Sequence, residues 1–232
     1  MRIGVGNAGR GLTLAALLTG LVTGCSTGDG ESDGVAAKGS NGSKGSKGST
    51  EATATAQVAE RGATVGAAGS ACELPVTFDT AKSWKAKAVD AGEASEAGGD
   101  LADLADALLH QGPVTMACEI DAKPAGNIGF LRVWTGKPGD ADARGVLKAF
   151  VAAGEGVGKT SYRTFEAGGV TGTEVEYETT SEVLEDTKTE HALAVTTPDG
   201  PVVLHLGGLD DQEHERMLPA YELAKSTLRV GA

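Results

Sequence analysis

Three cysteines, four histidines and a run of alternating glutamates are the residues of this chain whose types and spacing could do chemistry. Cys25 closes the run Val22-Thr23-Gly24-Cys25, where two small residues lead to a thiol. A thiolate is a strong nucleophile, so a cysteine in that setting suits group transfer onto sulfur. Cys72 and Cys118 stand far apart with no Cys-x-x-Cys spacing, which leaves a dithiol redox site without support. Two cysteines and scattered histidines also lack zinc-ligand spacing. Glu174, Glu176 and Glu178 alternate with Val175 and Tyr177 and share one face of a strand, with Glu182, Glu185 and Asp186 close behind. Carboxylates gathered this way could hold an oxygen-liking cation such as Ca²⁺. A carboxylate-pair hydrolase would need one of them raised by burial. Nothing near them in sequence announces burial, so a solvated sheet face is expected.

His191, His205 and His214 could supply a base, but a serine hydrolase of the Gly-x-Ser-x-Gly kind needs its serine in a sharp turn, and that motif does not occur. They are expected to be ordinary sheet and surface residues. The stretch Gly154-Glu-Gly156-Val-Gly158-Lys159-Thr160 ends like a phosphate loop. The first glycine of that motif would fall at Ala153, and the loop should lie between a strand and a following helix, the reverse of the order here. Its glycines read as a helix stop. The expectation is therefore no catalytic residue, no metal, no cofactor and no nucleotide.

The elements around Cys25 come in a telling order. Arg2 and Arg10 are a positive start, Leu12 to Val22 is apolar, and Thr23 and Gly24 are small. The apolar run is about a dozen residues, short of the roughly 20 that span a bilayer. This order resembles the signal and lipobox of a bacterial lipoprotein. The resemblance implies that residues 1–24 are a signal peptide, that Cys25 carries diacylglycerol, and that the mature chain is lipid-anchored on the extracytoplasmic face of the cell membrane.

From Ser26 to about Ala71 the chain is Gly, Ser, Lys, Ala and Thr with no apolar periodicity. Such a segment cannot bury enough apolar surface to offset the entropy of ordering it. Residues 25–71 are thus expected to be a disordered tether with a mean span of about 35–40 Å, and residues 72–232 a single globular domain. That domain holds 14 basic against 27 acidic residues, within a chain of net charge −12. Such acidity repels nucleic acid and anionic lipid headgroups. With Cys25 lipidated, Cys72 and Cys118 remain in an oxidising compartment and are expected to form a disulfide.

In that domain the apolar period switches between two and about 3.6, which predicts mixed structure. Strands are expected at Leu74–Phe78, Ser83–Val89, Val114–Asp121, Asn127–Thr135, Thr160–Phe165, Thr171–Thr180, Lys188–Thr197 and Val202–Leu206. Short turns between them imply antiparallel pairing. Asp100 is expected to cap a short helix through Leu101, Leu104, Ala105 and Leu108, ending near Gly112. Asp140 should cap a second helix with Val146, Leu147, Phe150 and Val151 on one face, and Asp210 and Asp211 should start a third through Met217, Tyr221, Ala224 and Leu228. The sum is an α+β domain with a mainly antiparallel sheet of about seven strands and packed helices. Trp84, Trp134, Phe130 and Phe150 read as core rather than as a ligand groove.

Thr77-Phe78 with Ser83-Trp84, the strand Phe130-Leu-Arg-Val-Trp134, the paired strands around Gly172 to Tyr177, and the closing Ala224-Lys-Ser226-Thr-Leu-Arg-Val230 resemble the PsbP-like fold as used by LpqN-type lipoproteins. The excursion Ala91 to Gly112 has no place on that template. The resemblance implies a non-catalytic binding or assembly factor whose partner is a protein or cell-envelope ligand. Leu104 and Leu108 of the short helix are its expected binding surface. The alternative is a lipid or glycolipid carrier, which would need a large apolar cavity.

Overall fold

In the computed structural model the described residues are 57–92, 104, 107–182 and 185–231. Cys25, most of the tether and much of the excursion, including Asp100, Leu101 and Ala105, lie outside them. The large sheet runs in the order β3 (Lys85–Ala88), β5 (Val114–Asp121), β6 (Gly129–Gly136), β10 (Gly200–Gly208), β9 (Asp186–Thr197), β8 (Val170–Ser181), β7 (Val157–Ala167), and the short β4 (His110–Gln111) also pairs with β5. Each neighbouring pair is antiparallel. A second, three-stranded sheet joins β1 (Arg61–Val65), β2 (Val76–Ala81) and β11 (Arg229–Val230).

Two helices cover the large sheet, one on each face. Helix α1 (Ala143–Ala152) buries Val146, Leu147, Phe150 and Val151 against β8, β9 and β10. Helix α2 (Asp211–Thr227) buries Met217, Tyr221 and Ala224 between β10 and β2. Both faces of the central strands are therefore dry, which is why Ala192–Val195 and Val202–Leu206 read as short apolar runs instead of alternations. Alternate residues serve opposite cores: Leu193, Val195, Val202 and Leu204 face α2, while Ala192, Ala194 and Val203 face α1. In β5 a bulge between Met116 and Cys118 shifts the register. As a result Val114 and Met116 join the α1 core but Cys118 and Ile120 join the α2 core.

Three expectations need correction. The folded unit starts well before Cys72, because β1 pairs with β2, Arg61 bridges Asp79 at 2.8 Å, and Ala59 N–H donates to the Pro219 carbonyl. The cap of α1 is Asp142, whose carboxylate accepts from Gly145 N–H at 2.6 Å, and not Asp140. In the excursion Leu104 and residues 107–109 are helical, but the helix cannot reach Gly112 since His110 and Gln111 pair with Thr115 and Val114. The expected disulfide is present. Cys72 in the β1–β2 connection is bonded to Cys118 of β5, with a Cα–Cα distance of 5.9 Å across 46 positions of sequence. In the chain-entropy account a loop of that size stabilises by about 4 kcal/mol.

Candidate functional site

The β8–β9 hairpin, the end of β10 and the turn after α1 enclose an open groove of about 870 Å³. Tyr177 of β8, Lys188 and Glu190 of β9 and His205 of β10 form its floor. All four sit on the α1 face, because their strands are in antiparallel register and side chains alternate between faces. Glu190 is the hub. Its carboxylate accepts from Tyr177 Oη at 3.0 Å, from His205 Nε2 at 2.7 Å and from Lys188 Nζ at 2.9 Å. Lys188 also donates to the Gly208 carbonyl at 2.9 Å. Phe150 of α1 packs edge-on to His205 with ring centres 5.6 Å apart, so the imidazole is held by apolar contact as well.

Burial opposes the charge on Glu190, but His205 and then Lys188 hold its carboxyl well below the usual carboxylate range. The Tyr177 hydroxyl is pushed far above its ordinary value, first by burial and then by the Glu190 charge. The hub is thus an ionised acceptor with three donors, an arrangement that fixes side chains in place. Thr179 offers a contrast on the same wall: its buried hydroxyl has no hydrogen-bond partner among the described residues. The lining is otherwise hydroxyl, amide and carboxylate groups with backbone glycine, and among the described residues Leu209 is its one aliphatic side chain.

The phosphate-loop-like glycines end at this groove. Gly156 has φ +63° and lies so close to β8 that a Cβ would fall 2.1 Å from the Thr180 carbonyl oxygen. A tight turn against a strand is what its freedom serves.

The opposite face carries a second polar set. Glu174, expected on a solvated face, is buried and bridges Arg163 at 2.5 Å and Lys225 at 2.9 Å. Burial alone would raise its carboxyl, but the hydrogen bonds from Lys225 and Arg163 hold it below its ordinary value. Glu176 stays exposed and Glu178 is partly so, and among the described residues no group of three or more ligand-type side chains could hold a metal ion. His191 and His214, expected to be ordinary residues, are both buried and meet with Nδ1 of His191 and Nε2 of His214 2.7 Å apart. Trp84, Trp134 and Phe150 are core, as expected, while Phe130 lies under the Arg132 guanidinium at 4.8 Å.

Leu104 and Leu108 are both more than half exposed. Sequence reasoning missed the groove floor because it weighed each histidine against a serine motif. The available signal was Lys188 and Glu190 preceding Ala192 and Ala194 on one strand face, opposite a histidine inside the run Val202–Leu206.

The family described as an uncharacterised lipoprotein matches residues 42–228 of the chain. No curated protein matches it. Among solved structures it is similar to the cyanobacterial PsbP protein (CyanoP) of Synechocystis, at 10% identity and a TM-score of 0.47, over 76% of this chain and 96% of that one.

Proposed function

From a chain that belongs to the uncharacterised-lipoprotein family, we propose a membrane-anchored, extracytoplasmic binding module with no catalytic residues. Cys25 carries the lipid, the segment after it is the tether, and the groove over Tyr177, Glu190 and His205 is the seat of a polar ligand or a segment of an envelope protein. The observation that carries this reading is a cavity of about 870 Å³ whose floor is fixed by one buried, ionised hub. Rigid walls reduce the ordering entropy of binding. The same floor argues against hydrolysis, since Glu190 is committed to three donors and holds no proton to give. A carrier of acyl chains needs walls of aliphatic side chains, and among the described residues this groove offers Leu209.

Native mass spectrometry of the full-length lipoprotein taken from its own membrane tests the reading. A bound mass should accompany the wild type and be lost from Thr179→Trp, with circular dichroism verifying the variant's fold. A mass retained by the blocked groove, or no mass on either protein, would count against it, and so would hydrolysis of cell-wall polymer by the purified protein. Cys25→Ser should abolish acylation and move the protein out of the membrane fraction. If that variant still takes up a palmitate analogue, the anchor lies elsewhere.

A further inference from the structure

We propose that the His191–His214 pair is an acid-sensitive latch that holds the first turn of α2, and with it one lip of the groove, against the sheet. His191 lies in β9 and His214 in the first turn of α2, so their 2.7 Å contact is a direct tie between helix and sheet. The rings stack with centres 5.0 Å apart and planes inclined by 22°. Such a tie needs one ring to donate and the other to present a bare nitrogen. Two neutral imidazoles do this. Two imidazolium ions cannot, since both facing nitrogens then carry protons and like charges sit in contact.

The surroundings decide how readily the pair takes up protons. From β8, Glu176 lies 3.4 Å from His191 Nε2 and Glu174 sits nearby, and both favour a charged ring. From α2, Glu222 favours charge on His191 and Asp211 does so on His214. Glu190 of β9 also favours it, while Arg163 of β7 and His205 of β10 oppose it. The Tyr221 ring meets His191 edge-on at 5.8 Å and supplies no charge. Two further facts oppose protonation. His214 Nδ1 is buried without a hydrogen-bond partner among the described residues, so a proton there would be unsolvated. A cation in the first helical turn also opposes the helix dipole. Burial prevails, and both rings titrate below the ordinary histidine range, His214 at about 4.

The latch reaches the groove through the four residues 210–213. Gly208 and Leu209 line the groove, Asp210 caps α2 by accepting from Glu213 N–H at 2.7 Å, and Asp211 accepts from Thr189 N–H at 2.6 Å. Loss of the histidine tie leaves these contacts to hold the turn, together with Ile128, whose N–H donates to the Glu213 carboxylate at 3.1 Å and whose carbonyl accepts from Leu209 N–H at 3.0 Å. That the lip governs a ligand rests on the groove reading above, but opening of the turn does not, so the two can fail separately.

Hydrogen exchange of the full-length chain at pH 7.5 and 5.0, corrected for the intrinsic rate, reads the latch without any ligand. Protection over residues 209–217 should fall roughly tenfold or more relative to α1 in the wild type. His191→Asn combined with His214→Gln places amide groups near the same two nitrogens and cannot titrate, so its protection should change no more than that of α1. An equal fall in both proteins, or no fall in the wild type, would overturn the proposal. Should the double variant not fold, ring NMR titration of the wild type decides: either histidine titrating at or above about 6.5, the free value, would overturn it.

Discussion

Among the described residues, each face of the large sheet buries one glutamate of its own strands, and the two faces secure it differently. Glu190 on the α1 face is held by neighbours on its own and adjacent strands, under an open groove. Glu174 on the α2 face is held by a helix residue, Lys225, and by Arg163 of β7. One network is part of the sheet and the other joins the sheet to a helix. The first suits a fixed site and the second suits a seam, and the buried histidine pair lies along that seam.

Removing each hub should separate them most sharply. Glu190→Ala leaves Lys188, His205 and Tyr177 facing each other in a buried place and should destabilise by about 3–5 kcal/mol. Glu174→Ala should cost less, about 1–3 kcal/mol, because Lys225 keeps Glu222 at 2.7 Å and the Arg163 side chain is 56% exposed. Urea unfolding midpoints measure both, and equal losses would erase the distinction. Reducing the Cys72–Cys118 bond, whose sulfurs lie in the α2 core, should cost about 2–4 kcal/mol. Intact mass before and after alkylation, together with the same urea midpoints, checks that the bond is present and what it contributes.

Acid should act on the faces at different pH. The histidines of the α2 face have lowered values, so the stability they lend is complete above the unfolded value of about 6.5 and fades as pH falls; His214, at about 4, accounts for a loss of about 2 kcal/mol at pH 5. Glu174 and Glu190 are lowered too, and their contribution fades only as pH falls below the ordinary carboxylate value of 4.5. Urea midpoints at pH 7.5, 5.5 and 4.5 should therefore drop first with an α2-face signature, and the His191→Asn, His214→Gln protein should lose the early part. The smallest effect belongs to Leu104→Asp with Leu108→Asp. These side chains are exposed, so stability should change within about 0.5 kcal/mol. A folded double variant that recovers the same partners in a pull-down removes this helix as a binding surface.

The helix faces and most strands were legible from the sequence for a plain reason. Val146, Leu147, Phe150 and Val151 mark α1 by period, and Val114, Met116, Cys118 and Ile120 mark β5 by alternation, although the bulge that sends the last two to the other core leaves no sign in that pattern. Strand β1 was invisible because four of its five residues are exposed and only Val65 enters the core. Glu174 and His191 were misjudged for a different reason. Alternation tells which face a residue takes but not what lies over that face, and here α2 covers it with side chains 23 residues away in sequence from His191 and 51 from Glu174. The groove floor suffered in the same way, since it takes side chains from three strands.

The path of the chain into the domain has a mechanical consequence. A pull on the chain ahead of residue 57 loads β1 first, at one edge of the small sheet. Beyond the end of that strand the load meets Cys72, and from there it passes through a covalent bond into β5 of the large sheet. Tension on the chain ahead of residue 57 can therefore peel away residues 57–71 and then stalls. The rest of the sheet, groove included, keeps its shape under strain that would unzip an unlinked strand.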